Sequence, residues 1–178
     1  MIGLIDYFEE EKAVLIGHDW GAPIVWNTAT LHKNRISAVA GLSAPYRKRG
    51  PVSNLQALRQ LYKDKFFYQL YFQKEGVAER ELESDIRLSL RKIYFSASGD
   101  ASSLENWVNR PPSTTLLGDF EDPDPFPAWL SDKDLEYYID NFSAGGFRGP
   151  INRYRNQDQD FDNLPMMGVD LLSNQAAL

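Results

Sequence analysis

Val14-Leu15-Ile16-Gly17-His18-Asp19-Trp20-Gly21-Ala22 decides how the rest of this chain is read. The short apolar run from Ala13 to Ile16 predicts a buried strand. Gly-x-Asp-x-Gly follows at once, and then apolar residues at helical spacing: Ile24, Val25 and Ala29. Strand, sharp turn and helix together present one residue at the tip of a strained elbow. Strand and helix pass close to one another there, so a side chain at either Gly17 or Gly21 is expected to clash. The residue at the tip is Asp19, which is expected to be sheltered. A carboxylate there can displace a leaving group at an sp3 carbon and form an alkyl ester. The plainer reading makes Asp19 a helix N-cap; Gly-His before it and Trp-Gly-Ala after it weigh against that.

Working outward, Ile2, Leu4, Ile5 and Phe8 precede Glu9-Glu10-Glu11 and predict the end of an amphipathic helix. Residues 20–33 form the helix after the elbow, with Pro23 tolerated in its first turn. Ile36 to Leu42 makes a second short strand, so the chain opens as strand, helix, strand, the unit of a parallel sheet. Beyond Pro51 no further strand is expected, at the end of the chain or before it. Residues 53–71 and 77–96 each have the spacing of one helix, the second through Leu82, Ile86, Leu90 and Ile93. Residues 109–129, rich in Pro and acids, form a long irregular excursion. Asp119, Glu121, Asp122 and Asp124 within it lack the spacing of a calcium loop and read as a solvated acidic face. Ser131-Asp132-Lys133-Asp134 starts another helix and Gly145-Gly146 stops it. Its inward face is Leu135, Tyr138, Ile139 and Phe142, and a further short helix begins at Pro150.

Three of these stretches together resemble one family. Gly-His-Asp-Trp-Gly-Ala after a strand resembles the elbow of epoxide hydrolases of the α/β-hydrolase fold, and also that of haloalkane dehalogenases. Phe67-Tyr68-Gln69-Leu70-Tyr71-Phe72-Gln73, with Gly76-Val77-Ala78-Glu79 after it, resembles the first cap segment of soluble-type epoxide hydrolases. Gly146-Phe147-Arg148-Gly149-Pro150-Ile151-Asn152-Arg153-Tyr154-Arg155-Asn156 resembles the second. The resemblance runs from about residue 1 to about residue 160. It implies an α/β chain with an incomplete hydrolase core over 1–46, an all-helical cap over 47–162, and a return towards a missing C-terminal core over 163–178.

It implies a chemistry as well. Asp19 is the nucleophile that opens an epoxide. Tyr68 and Tyr154 hold the ring oxygen and donate to it, and a phenol, ionising near about pH 10, carries its proton at neutral pH. The backbone N–H of Trp20 supplies half of an oxyanion hole, and Trp20 and Gln69 line the substrate pocket. The other half comes, in this family, from a His-Gly-x-Pro loop, which does not occur in the sequence. Ester hydrolysis to a diol needs a His oriented by a carboxylate. The two histidines present are His18, adjacent to the nucleophile, and His32, read as surface. The chain is therefore expected to be a fragment that does not turn over alone. Two features depart from the family: Arg153 stands where an aromatic is frequent, and Gln157-Asp158-Gln159-Asp160-Phe161 is unusually polar.

Composition narrows the partners. The chain has 178 residues, a formal charge of −6 and no cysteine. The acidic balance disfavours nucleic acid and anionic membranes, and no apolar run approaches the roughly 18 residues of a membrane span. No cofactor and no metal are expected, only a small-molecule epoxide, and the absence of cysteine fits a cytoplasmic setting. Oligomeric state is left open. Two competing readings remain: a haloalkane dehalogenase fragment, in which Trp20 helps bind halide, and a non-catalytic truncated homologue acting as an interaction module.

Overall fold

A computed structural model describes residues 1–102, 107, 110–164 and 176–177. The chain divides into two compact units, one of residues 1–51 with 160–178, the other of residues 52–159.

The first unit is built on a parallel pair of strands. Strand β1 (Ala13–His18) leads through helix α2 (Gly21–Leu31) into β2 (Ile36–Leu42), and helix α1 (Ile2–Tyr7) precedes them. Two parallel neighbours need a crossover, and α2 is that crossover. The register runs Leu15↔Val39, Ile16↔Ala40, Gly17↔Gly41 and His18↔Leu42. Side chains alternate across β1, so Leu15 is buried while Val14 and Ile16 stand exposed on the other face. Leu15 and Val39 pack against Ala22, Val25, Trp26 and Ala29 of α2. These positions follow the three- and four-residue spacing of one helical face. Ile24, expected within that stripe, is turned outward, as are Leu4 and Phe8 beside α1's buried Ile5.

A third strand corrects the expectation that none follows the helical block. Ala176–Ala177 (β3) pairs parallel to β2, opposite Ala38 and Val39. Two alanines are too short a run to show alternation, so the strand is invisible in the sequence. The rest of the return expected over 163–178 lies, beyond residue 164, outside the described residues.

The second unit is helical: α3 (Asn54–Leu61), α4 (Tyr68–Tyr71), α5 (Val77–Ser84), α6 (Ile86–Ser96), α7 (Asp132–Gly145) and α8 (Arg148–Arg155); α9 (Gln157–Asn163) begins within it. The two long helices expected over 53–71 and 77–96 are each broken. Asp85 breaks the second: its backbone is extended and its carboxylate accepts the Leu88 N–H at 2.9 Å, so it caps α6 afresh. Ser53 caps α3 and Ser131 caps α7 in the same manner, the latter as the sequence predicts. Gly146, at φ 67°, ends α7. On α7, Leu135 is buried and Ile139 and Phe142 pack on the core, but Tyr138 is exposed rather than inward, its ring against Tyr94.

The core of this unit joins Phe66, Phe72, Leu82, Leu90, Leu116 and Ile151. Residues 111–130 form no regular element, yet Arg110, which precedes them, anchors part of the stretch. Its guanidinium lies buried over the Phe66 ring and donates to the carbonyls of Thr115 and Leu116. The acidic face there is more than solvated: Asp122 pairs with Arg91 at 2.6 Å, Asp119 faces Arg110 at 3.6 Å, and Glu121 accepts from Ser102. Among the described residues no group of three or more His, Cys, Asp or Glu is placed to hold a metal ion, and no helix is long and apolar enough to cross a membrane.

Candidate active site

Gly17 and Asp19 make the turn between β1 and α2 possible. Asp19 adopts φ 52°, in the left-handed region that non-glycine residues rarely enter. Its N–H donates to the Leu42 carbonyl at the end of β2 (3.1 Å), and its carbonyl accepts from Ala22 (3.0 Å). These bonds hold the strained conformation. A Cβ on Gly17 would lie 2.2 Å from the Gly21 carbonyl oxygen and 2.8 Å from the Ala22 nitrogen. Gly17 is therefore required. Gly21 is not, contrary to expectation: a Cβ there meets nothing within 4 Å. The close approach is Gly21's backbone against Gly17, and Gly21's own missing side chain would point elsewhere. Gly41, opposite Gly17 in the register, is needed in turn because the Trp26 ring lies across it, 2.4 Å from where a Cβ would be.

The N-cap reading of Asp19 does not hold. Helix α2 begins after Trp20 with no side-chain cap. The Asp19 carboxylate instead accepts the backbone N–H of Trp20 at 2.7 Å. The predicted nucleophile and predicted oxyanion donor thus lie together. Asp19 is exposed where a sheltered tip was expected; among the described residues of this unit, α1 and α2 pack on the face bearing Leu15 and Val39. His18 is exposed beside it; His32 caps the far end of the 11-residue α2, roughly 16 Å along the helix axis at 1.5 Å per residue.

The second unit brings together Tyr68, Gln69 and Tyr154. Tyr68 opens α4 and Tyr154 lies in the last turn of α8. Their rings meet edge to face, centroids 5.8 Å apart and planes at 79°, within a cluster that includes Phe72 and Trp107. The side-chain amide of Gln69 donates to the Tyr68 hydroxyl oxygen at 3.0 Å. Tyr71, one turn along, has a different task. Its hydroxyl donates to Glu81 at 2.6 Å, and the same carboxylate accepts the N–H groups of Leu116 and Leu117. Burial, and then the Glu81 carboxylate, push the Tyr71 phenol well above its ordinary range. Tyr71 is thereby tied to the loop at 116–117.

The sequence reading missed Glu79, Arg155 and Gln157. Arg155 forms a two-pronged ion pair with Glu79 inside the unit and also donates to the carbonyls of Phe72 and Lys74. That bond to Arg155 holds the Glu79 carboxyl below the usual carboxylate range. A signal existed: acidic and basic residues at otherwise core-facing positions of α5 and α8. The run from Gln157 to Phe161, noted for its polarity, is largely partnered. Gln157 bonds Asn54 and Gln69, Asp158 accepts from Ser53 and Arg59, and Phe161 lies under the Arg49 guanidinium.

Residues 4–119 match the α/β-hydrolase fold family, and the chain belongs to that family. Within it, the chain is 38% identical over 164 residues to epoxide hydrolase A of Mycobacterium tuberculosis, covering 91% of this chain and 51% of that protein. It is 38% identical to bifunctional epoxide hydrolase 2 of Rattus norvegicus, of which it covers 28%. The crystal structure of epoxide hydrolase A from Mycobacterium thermoresistibile superposes with a TM-score of 0.86 at 36% identity, over 99% of this chain and 56% of that one. The chain spans about half the length of the Mycobacterium tuberculosis relative it matches. The resemblance to epoxide hydrolases drawn from the three motifs therefore stands, with an α/β segment followed by a helical block.

Proposed function

We propose that this chain carries part of the active site of an epoxide hydrolase, its residues 47–162 forming the cap. The observation that supports this most is Asp19 itself, a carboxylate at positive φ on a strand-to-helix elbow. Attack on an epoxide carbon with displacement of the ring oxygen calls for a carboxylate at such a tip. An oxygen of Asp19 attacks a ring carbon and the carbon–oxygen bond breaks. The released electron pair goes to the epoxide oxygen, which takes a proton from the hydroxyl of Tyr68 or Tyr154. The resulting phenolate is reprotonated from solvent, and the product is a hydroxyalkyl ester of Asp19. The Trp20 N–H, already on the Asp19 carboxylate, is suited to the later tetrahedral oxyanion.

Hydrolysis of that ester calls for a general base, a contribution of about 10² to 10⁴ in rate. His32 is too remote along α2, and His18 is the exposed last residue of β1, adjacent to Asp19. The proposed behaviour of the chain is one alkylation event and a long-lived ester. Intact mass after incubation with a terminal aryl epoxide tests this. One adduct of the epoxide's full mass is expected, absent in Asp19→Asn. An adduct that persists in Asp19→Asn removes the nucleophile assignment, and sustained diol formation removes the trapped ester.

A further inference from the structure

Four polar side chains of the helical unit are joined in one line that ends on a phenol. Asn54 Nδ2 donates to Gln157 Oε1 at 2.8 Å. Gln157 Nε2 donates to Gln69 Oε1 at 3.1 Å, and Gln69 Nε2 donates to the Tyr68 hydroxyl oxygen at 3.0 Å. Every bond points the same way. Gln157 is buried at 8% exposure, and both hydrogens and the oxygen of its amide are engaged. Its remaining hydrogen goes to the backbone carbonyl of Tyr154 at 3.1 Å, which also accepts from Gln73 at 3.2 Å.

That last bond fixes the direction of the whole line. A glutamine amide has one accepting end and one donating end, and either can face a hydroxyl. A carbonyl can only accept. The Tyr154 carbonyl accepts from Gln73 and lies 3.1 Å from the Gln157 amide, and since it cannot donate, the Gln157 atom that faces it must be a donor. It therefore turns the Nε2 of Gln157 inward. Gln69 must then offer Oε1 to Gln157, which leaves its Nε2 for Tyr68. The Tyr68 oxygen is held as an acceptor, and its proton is aimed away from Gln69. Without this line Gln69 could present Oε1 instead, capture the proton and take Tyr68 out of use as a donor.

We infer that Gln157 is a positioning residue, and Asn54 its outer support. Through Gln69, Gln157 fixes the direction of the Tyr68 hydroxyl while the same amide holds the backbone of Tyr154. The role rests on the reading of Tyr68 as the proton donor to the epoxide oxygen, but the ordering itself is testable without any epoxide.

The test is the side-chain carbon that bears the Tyr68 hydroxyl, observed by NMR in the full chain with 13C-labelled tyrosine and assigned by its loss in Tyr68→Phe. Gln157→Glu is the decisive variant. Its carboxylate cannot donate to Gln69, so Gln69 turns its Nε2 to residue 157 and its Oε1 to Tyr68, which then donates to it. The resonance is expected to move in Gln157→Glu but not in Gln159→Glu, which makes the same charge change at an exposed neighbour. In Asn54→Asp, exposed at the first position of α3 where an acid is compatible with the helix dipole, only the outer support is lost and the Tyr154 carbonyl still holds Gln157 Nε2 inward, so the resonance is expected to stay. A folded Gln157→Glu chain with the Tyr68 resonance at its parent position, or a resonance that moves in Asn54→Asp, overturns the proposal. A resonance that moves in a chain whose Asp19 takes no adduct sustains the line of amides and sinks the epoxide reading alone.

Discussion

Arg155 grips both oxygens of Glu79, Nη1 to Oε1 at 2.6 Å and Nη2 to Oε2 at 3.0 Å, with each side chain 10% exposed. The fork geometry matches a carboxylate. Because Arg155 also donates to the Phe72 carbonyl at 2.8 Å, the residue that follows Tyr154 is bonded to the helix end that follows Tyr68. Removing one partner strands a buried charge. Arg155→Met is expected to destabilise the helical unit by about 3 kcal/mol or more. The double variant Glu79→Leu with Arg155→Met should recover much of that loss. Urea unfolding followed by near-ultraviolet circular dichroism reads both; a single variant as stable as its parent would show that the pair holds nothing.

The same pair gives the unit an acid limit. Arg155 depresses the Glu79 carboxyl below its ordinary value, so the unfolded chain binds this proton more readily than the folded one. The stabilisation is complete above the unfolded value, about pH 4.3, and is lost as pH falls through the lower folded value. Stability measured from about pH 6 downward should decline more steeply in the parent chain than in Glu79→Gln, which has no proton to take up there. Parallel curves for the two would contradict the assignment.

The two glycines of the elbow should part company. Gly17→Ala drives a methyl into the Gly21 carbonyl and Ala22 nitrogen, backbone atoms that cannot step aside, and is expected to destabilise by about 3 kcal/mol. Gly21→Ala enters open space at the first residue of α2 and should lie within about 0.5 kcal/mol of the parent. Thermal unfolding of the two variants separates them, and equal losses would mean that both glycines are spatially required after all.

How much of this was legible in the sequence follows from which interactions are local. Strand β2 was readable to the residue and β1 from its start to Ile16, two residues short of its end at His18, because each is a short apolar run bounded by turn residues. The caps at Ser131 and Gly146 were readable for the same reason. The break at Asp85 was not: Leu82, Ile86, Leu90 and Ile93 keep helical spacing across it, and periodicity alone cannot register a capping aspartate between two collinear apolar faces. Glu79 and Arg155, joined by two hydrogen bonds, lie 76 residues apart. Asn54 and Gln157 are 103 apart. At such separations a polar residue on a helix looks solvated until its partner is in place. Tyr68 and Tyr154 were chosen from motif resemblance, and spacing would not have distinguished them from Tyr71.

Tyr68 and Tyr71, three residues apart, should respond oppositely to the same substitution. Tyr71 donates to a carboxylate that two backbone N–H groups also bind, and its phenol is held above its ordinary range by burial and by Glu81. Such a proton is poorly available for transfer. Tyr71→Phe leaves Glu81 with two of its three donors and should cost about 1 to 2 kcal/mol of stability. The rate of adduct formation at Asp19 should stay within about twofold of the parent. Tyr68→Phe keeps the ring among Phe72, Trp107 and Tyr154, so stability should change by less than about 1 kcal/mol. It removes one of the two proposed donors to the epoxide oxygen, and alkylation should slow by about 10², the low end for a general acid, since Tyr154 remains. Paired measurement of unfolding and of adduct formation by intact mass gives four numbers. If alkylation slows in Tyr71→Phe and is unchanged in Tyr68→Phe, the roles assigned to the two tyrosines are reversed.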